Sequence, residues 1–188
     1  ASIEKANLAQ ANLKGANLKG TNLEGANLYF ADLRNAKLVG TVLKGAYLDG
    51  SILPNLLMRV DLEGAWLEMA NLEGKNLQGA NLDGANLSGP HMKRANLEYA
   101  SLRYANLEGS SDWVAALNGA KLRGADLVEA NLEFADLHGA KLEKAQLQGS
   151  SMEGANLKGA NLKGANLEGA NLQGANLKGA NLSEAIMP

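Results

Sequence analysis

The sequence contains no cysteine, three prolines and few aromatic residues, which make up 4% of the chain. The lack of cysteine excludes disulfides, thiolate metal sites and cysteine nucleophiles. No apolar run approaches the ~18 residues that a membrane-spanning helix needs, and no charged-then-apolar leader precedes the first residues. We therefore expect no membrane contact. We expect a cytoplasmic protein, and the alternative of a processed lumenal or periplasmic form stays open.

Charge of either sign is not in excess. The 188 residues include 20 Asp and Glu and 18 Lys and Arg, for a formal net charge of −2, and both signs are interspersed along the sequence. This pattern argues against a nucleic-acid-binding surface and against a strongly acidic mimic of one. We find no catalytic constellation and no metal-ligand spacing, and the two histidines, His91 and His138, are far apart. We therefore predict no enzyme, no cofactor and no metal site.

What the sequence does contain is a unit of five residues repeated from end to end. Leucine stands at the centre of each unit, alanine two places before it, Asn or Asp between them, and glycine commonly closes the unit. An α-helix turns by about 500° in five residues, so its leucines would not form one apolar stripe. In an extended chain the leucine and the alanine point to the same side, and the next two residues can turn the chain. The repeat therefore predicts an all-β solenoid with leucine and alanine inside.

These units carry a family resemblance. The runs 155–159, 160–164 and 175–179, each Ala-Asn-Leu-Lys-Gly, and the run 125–129 resemble the pentapeptide-repeat family. The resemblance covers essentially the whole chain, 1–188, as a single solenoid. It implies a right-handed quadrilateral parallel β-helix with four pentads to a coil, and therefore about nine coils.

Two places interrupt the repeat. A four-residue unit at 56–59 breaks the register of five, after which the pentads resume at Leu62. An irregular segment at 110–114 keeps the register but places Asp112 where leucine belongs. A buried, unpaired carboxylate would be very costly, so this segment is expected to bulge outward or Asp112 to be bonded locally.

With four pentads counted to each coil, the units 90–94, 110–114 and 130–134 fall on one face. Their outward side chains and those of the following corners predict a mixed basic and aromatic patch for a partner, and such a patch can bind a protein, a sugar or single-stranded nucleic acid. In the alternative interpretation, the two cations only pack their stems over the aromatic rings. The members of this first patch are Lys93, Arg94, Tyr99, Tyr104, Trp113 and Phe134.

A second patch is predicted on the face that carries 26–30, 46–50, 65–69 and 85–89. Exposed aromatic side chains are typical anchors of protein interfaces. In the alternative interpretation, the rings stack to cover a coil that the short unit has loosened. The members of this second patch are Tyr29, Phe30, Tyr47, Trp66 and Met69.

The predicted function is a non-enzymatic scaffold, a rigid rod that presents an irregular aromatic and basic face to a protein partner. The resemblance is strongest to cyanobacterial members, a few of which are implicated in developmental regulation through protein contacts. A second hypothesis from the family is inhibition or protection of a type II topoisomerase by mimicry of duplex DNA. Mimicry requires rows of surface carboxylates, which a net charge of −2 does not suggest. Leucines exposed at uncovered ends would make end-to-end self-association a further hypothesis.

The inward leucines provide a first test of the predicted fold. Leu132→Lys would bury an unpaired ammonium, and we expect it to lower the free energy of unfolding by more than about 3 kcal/mol. Glu133→Lys, one residue further along, changes an outward position and is expected to have little effect. Urea denaturation of both variants followed by circular dichroism checks the difference, and equal losses of stability would contradict the inward placement of leucine.

Overall fold

A computed structural model describes residues 1–68, 70–89, 91–108 and 115–188. The described pentads share one local shape. In 21–25, Asn22 forms parallel bridges with Ser2 and Val42, Leu23 is buried, and Glu24 and Gly25 turn the chain. The N–H of Ala26 closes this turn on the carbonyl of Leu23 at 3.0 Å, and Gly25 has a φ of 63°. The strands are one bridge residue long throughout the described ranges, so the prediction of very short strands joined by corners is confirmed.

Parallel bridges join the coils into four ladders, each of which defines one face. Each face is made of five-residue units, and each unit comprises a bridge residue, the residue before it and the three residues after it. Face 1 has the bridge residues Ser2, Asn22, Val42, Asp61, Asn81, Ser101, Asp126, Gln146, Asn166 and Ile186. Face 2 has Asn7, Asn27, Tyr47, Trp66, Asn86, Asn106, Asn131, Ser151 and Asn171. Face 3 has Asn12, Asp32, Ile52, Asn71, His91, Ala116, Asp136, Asn156 and Asn176. Face 4 has Asn17, Lys37, Leu56, Asn76, Asn96, Lys121, Lys141, Asn161 and Asn181.

The four faces enclose a continuous core of leucine and alanine, as predicted for a quadrilateral parallel β-helix. Leu23 and Leu167, near its two ends, are both fully buried. Burial of one leucine side chain contributes ~1.5–3 kcal/mol before the cost of ordering the chain. The N–H of Leu23 also donates to the carbonyl of Val42 at 2.8 Å, and this bond between coils recurs along the rod. No described residue is helical, so this part of the chain offers no helix able to cross a membrane.

The shortened corner lies slightly earlier than predicted. Leu56 forms a bridge with Asn76 and Leu57 is fully buried, so 56–59 follow the regular pattern instead of forming the four-residue unit. Only Pro54 and Asn55 separate Leu53 from Leu56, where a regular pentad has three residues between its core leucine and the next bridge residue. Among the described residues no backbone hydrogen bond joins 36–40 to 55–59, or 51–54 to 70–74. The short corner therefore interrupts the ladders on faces 3 and 4.

Lys75 donates a hydrogen bond within this interrupted region. It stands where an inward alanine is usual, and its Nζ donates to the carbonyl of Leu53 at 2.9 Å. In most described pentads the core leucine carbonyl accepts a bond from the backbone N–H three residues later, a bond missing at Leu53. Burial lowers the pKa of Lys75, because the charged form loses water. The lysine thus supplies the hydrogen bond that the short corner cannot make.

A second irregularity changes the number of pentads between bridge residues of adjacent coils. His91 bridges to Ala116 and Asn106 to Asn131, a step of five pentads in place of four. The chain between Asn106 and Ala116 therefore holds one pentad more than a coil requires. Residues 110–114, including Asp112, lie outside the described residues. The assumption of four pentads in every coil is wrong here, and 130–134 falls on face 2 instead of beside 90–94.

Two effects require glycine at a corner that an aromatic ring covers. The backbone there is left-handed, and the ring leaves no space for a Cβ. Gly154 and Gly159 both have a φ of 65°, but a Cβ on Gly154 would lie 2.6 Å from the Phe134 ring, whereas Gly159 has open space. Both Ala variants carry the cost of a left-handed backbone, ~1–2 kcal/mol. We expect Gly154→Ala to lower the free energy of unfolding by a further ~1–3 kcal/mol because of the clash.

Urea denaturation of the two glycine variants measures the difference. Adding Phe134→Ala to Gly154→Ala removes the ring and should recover the stability lost to the clash. Equal destabilisation by Gly154→Ala and Gly159→Ala would contradict the packing of Phe134 on the next coil.

Candidate functional site

The first predicted patch is not assembled on one face. Because the coil after 91–94 is closed by a step of five pentads, Arg94 shares its column with Gly119 and not with Phe134. Trp113 lies outside the described residues. The prediction of a single basic and aromatic face is therefore wrong. The described members are spread as follows: Lys93 on face 3, Arg94 at the corner of faces 3 and 4, Tyr99 at that of faces 4 and 1, Tyr104 at that of faces 1 and 2, and Phe134 at that of faces 2 and 3.

The scattered corner aromatics mostly pack against their own rod. A Cβ placed on Gly124 would lie 2.8 Å from the ring of Tyr99, which shows how closely that ring covers the corner of the next coil. Phe134 covers Gly154 in the same way. The guanidinium carbon of Arg103 lies 5.7 Å from the centre of the Tyr104 ring. These contacts account for the corner rings individually.

The second predicted patch is assembled on face 2. Tyr47 and Trp66 bridge on adjacent coils, and their rings stack with centroids 6.1 Å apart at 13°. Tyr29 and Phe30 meet edge to face at 4.5 Å and 84°. All four side chains are about half exposed, from 46% to 55%. Met69 lies outside the described residues, so the aromatic patch comprises these four residues.

A recess opens at the edge of the aromatic patch. It has a volume of about 340 Å³ and is lined by Ala9, Asn27, Tyr29, Tyr47 and Asp49. Asp49 is held in place, since its Oδ1 accepts the N–H of Glu68 at 3.0 Å. In regular pentads an Asn at the bridge position accepts that N–H, as Asn27 does from Tyr29 at 3.1 Å, but Trp66 has no acceptor to offer. The aromatic substitution at Trp66 therefore fixes a carboxylate beside the recess.

Charges that are mixed along the sequence are sorted by face. No described residue of face 2 is Lys or Arg, and the position two after the bridge residue is a carboxylate in five of the nine coils. Faces 3 and 4 together hold fifteen of the 18 Lys and Arg, and faces 1 and 2 hold thirteen of the 20 Asp and Glu. One side of the rod is therefore acidic and the opposite side basic. The carboxylates of face 2 are Asp49, Glu68, Glu108, Glu133 and Glu153.

Neutral groups are the hydrogen-bond partners of these carboxylates. Glu133 accepts the hydroxyl of Ser151 at 2.7 Å, Glu108 accepts the amide of Asn131 at 3.3 Å, and Glu153 accepts that of Asn171 at 3.4 Å. The ion pairs among the described residues all lie on the other faces. There the guanidinium of Arg34 lowers the pKa of Asp32 to about 2, chiefly by hydrogen bonding. Face 2 thus keeps an uncompensated negative charge.

Sequence reasoning missed this sorting because it followed the wrong columns after Asn106. Counting four pentads to every coil places Arg123 above Arg103 and predicts a ladder of mixed charge. The bridges instead align Arg103 with Val128 and put Arg123 on face 4. The signal that could have corrected the count is Asp112, whose carboxylate at a leucine position marks the pentad in excess. Elsewhere, the described residues bring no three His, Asp or Glu side chains together as metal ligands.

Comparison with protein families agrees with the four-sided ladder. The family model for pentapeptide repeats matches in 8 copies, over residues 1–40, 26–55, 56–89, 115–154 and 150–187. The chain belongs to the pentapeptide-repeat family. Members of this family fold as right-handed quadrilateral β-helices, so the predicted fold class is confirmed.

Several solved structures are similar to the chain. HetL, a pentapeptide-repeat protein involved in heterocyst differentiation regulation in the cyanobacterium Nostoc sp. strain PCC 7120, is 37% identical over 100% of this chain and 87% of its own, with a TM-score of 0.47. A pentapeptide-repeat protein of the Arabidopsis thaliana thylakoid lumen is 34% identical over 61% of this chain and 63% of its own, with a TM-score of 0.30. QnrB1, a plasmid-mediated fluoroquinolone resistance protein, is 16% identical over 99% of this chain and 84% of its own, with a TM-score of 0.47. No curated protein sequence gives a significant match.

The sorting of charge predicts unusual behaviour on ion exchangers. At pH 7 and low ionic strength the protein should bind both an anion and a cation exchanger, because each resin meets a side of opposite sign. Lys121→Gln with Lys141→Gln, both on face 4, should shorten retention on the cation exchanger. Glu108→Gln with Glu153→Gln should shorten it on the anion exchanger. Passage of the wild type through the cation exchanger without delay would contradict the sorted arrangement.

Proposed function

We propose that this pentapeptide-repeat protein is a non-enzymatic scaffold that binds a protein partner along face 2, with the aromatic patch as its anchor. The observation that carries the proposal is the half-exposed stack of Tyr47 and Trp66 beside Tyr29 and Phe30. Large exposed aromatic surfaces on one face are typical of interfaces, where Trp and Tyr supply much of the binding energy. A face built on backbone ladders is already ordered, so little conformational entropy is lost on binding.

The alternative role, covering a loosened coil, has less support. Leu48 and Leu67, the core leucines beneath the stacked rings, are fully buried. The interrupted ladders lie on faces 3 and 4, while on face 2 Tyr47 and Trp66 still bridge and the N–H of Leu48 reaches the carbonyl of Trp66 at 2.8 Å. The interruption that the rings would have to cover therefore lies on faces that do not carry them.

The charge distribution favours a second candidate, mimicry of duplex DNA toward a type II topoisomerase. The low net charge argued against it, but the carboxylates gather on two adjoining faces and the cations on the other two. The column on face 2 advances by ~4.8 Å per coil. A supercoiling assay with purified gyrase tests this candidate. Unchanged supercoiling at a large excess of the protein would remove it.

For the scaffold, the decisive comparison is between two double variants, each of which removes two aromatic side chains. Tyr47→Ala with Trp66→Ala removes the stack on face 2, whereas Tyr99→Ala with Tyr104→Ala removes exposed rings at other corners. We expect the first pair to reduce recovery of specific partners, by ~10-fold or more, from an extract of the cells that produce the protein. The second pair should leave recovery unchanged.

Quantitative mass spectrometry of proteins captured on the immobilised chain measures this recovery. Denaturation curves for both double variants establish that each is folded. Equal recovery of every captured protein by wild type and the Tyr47 and Trp66 variant would contradict binding through face 2.

A further inference from the structure

We infer that the segment bound on face 2 is an extended, arginine-bearing peptide of the partner, with one guanidinium seated in the recess between Tyr29 and Tyr47 against Asp49. The inference rests on the proposed function and goes further by assigning the partner's chemistry and one anchor point. It follows from the lining of the recess, the charge of the whole face and the arrangement of the aromatic rings.

The recess combines the two groups that a guanidinium requires. Aromatic rings of Tyr29 and Tyr47 line it beside the Asp49 carboxylate, in a space of about 340 Å³. Guanidinium is planar and weakly hydrated, so it stacks on aromatic faces and pairs with carboxylates at the same time. Its donors also match carboxylate oxygens in direction. Asp49 is oriented by the N–H of Glu68, which commits one oxygen and leaves the other, Oδ2, without a hydrogen bond from a described residue.

The rest of face 2 determines the sign of the ligand's charge. Glu68, Glu108, Glu133 and Glu153 continue the column from Asp49, and no described lysine or arginine of this face offsets them. A segment that follows the rod therefore meets a carboxylate at most coils, with a coil step of ~4.8 Å. Long flexible cationic side chains can reach such a column from an extended backbone. An acidic or neutral segment would leave these charges uncompensated in the interface.

A second copy of the chain also carries cations, but it suits this face less well. The cations of faces 3 and 4 stand on ladders with the same coil step as the acidic column. Two ladders of equal period match in many registers, so contact between copies would not select the aromatic end of the rod. The recess at Tyr29 and Tyr47 interrupts that repetition and has space for one inserted side chain.

A direct test uses a fluorescently labelled peptide of alternating arginine and serine, and the same peptide with citrulline in place of arginine. Citrulline keeps the shape of the side chain and removes its charge. Fluorescence anisotropy at low and at physiological salt measures binding to the full chain. We expect the arginine peptide to bind with an affinity that falls as salt rises, and the citrulline peptide to bind at least ~10-fold more weakly.

Matched variants locate the binding. Asp49→Asn retains an oxygen to accept the Glu68 N–H, and we expect it, like Tyr47→Ala, to weaken the arginine peptide ~3–10-fold. Glu168→Gln makes the same change of net charge at an exposed position on face 1, and Tyr99→Ala removes an exposed ring from another corner. Both controls should leave the affinity unchanged.

The peptide, variant and light-scattering measurements have four outcomes that would overturn the inference. They are absence of binding at low salt, equal affinity for the citrulline peptide, equal weakening by Asp49→Asn and Glu168→Gln, and a dimer seen by light scattering that Asp49→Asn dissociates. The last outcome would make a second copy the occupant. Capture of a partner that depends on Tyr47 and Trp66 but not on Asp49 would leave the scaffold function standing and reject the cationic segment.

Discussion

The hydrogen bond between successive coils is the interaction on which the rest of this molecule depends. Outside the interrupted ladders and the last coil, the N–H of a core leucine donates to the carbonyl of the bridge residue one coil further along, as Leu23 does to Val42 at 2.8 Å. This bond holds a pentad in register with the pentad of the next coil. The leucine that donates it is also the residue whose side chain is buried in the core. Outward side chains are thereby aligned in columns. Surface chemistry in such a rod is decided by which residues share a column.

The corners set a second constraint, since their last residue has a left-handed backbone. Glycine usually fills this position, but Phe30, Tyr99 and Phe134 adopt it with φ values from 54° to 58°. Their rings then lie over the glycine of the next coil, where a Cβ would come too close to the ring atoms. A corner aromatic and the glycine above it are thus one packing unit. This relation explains why such rings can be tolerated singly, whereas the aromatic patch on face 2 gathers rings from three coils.

Much of the fold could be predicted from the period of five alone. Leucine and alanine share a side in an extended chain, and glycine permits the corner, so an all-β solenoid followed without knowledge of contacts. The aromatic patch could also be predicted from the sequence. Tyr47 and Trp66 lie close to the shortened corner, and both precede the extra pentad, so counting four pentads to a coil aligned them correctly. The patch built on Lys93 and Phe134 failed because the extra pentad lies between them. A pentad in excess preserves the period in the sequence, so periodicity cannot show that the count of sides has changed.

The sequence by itself determined which residues of the regular pentads face inward, where the regular corners fall and that the chain belongs to a repeat architecture. These properties depend on neighbours within a pentad, and local sterics are enough to decide them. Only the tertiary structure decided that the columns shift after Asn106, that acids and bases occupy opposite sides, and that Asp49 stands at a recess between tyrosines. Those properties depend on residues four or five pentads apart, which become neighbours only when the coils are closed by their hydrogen bonds.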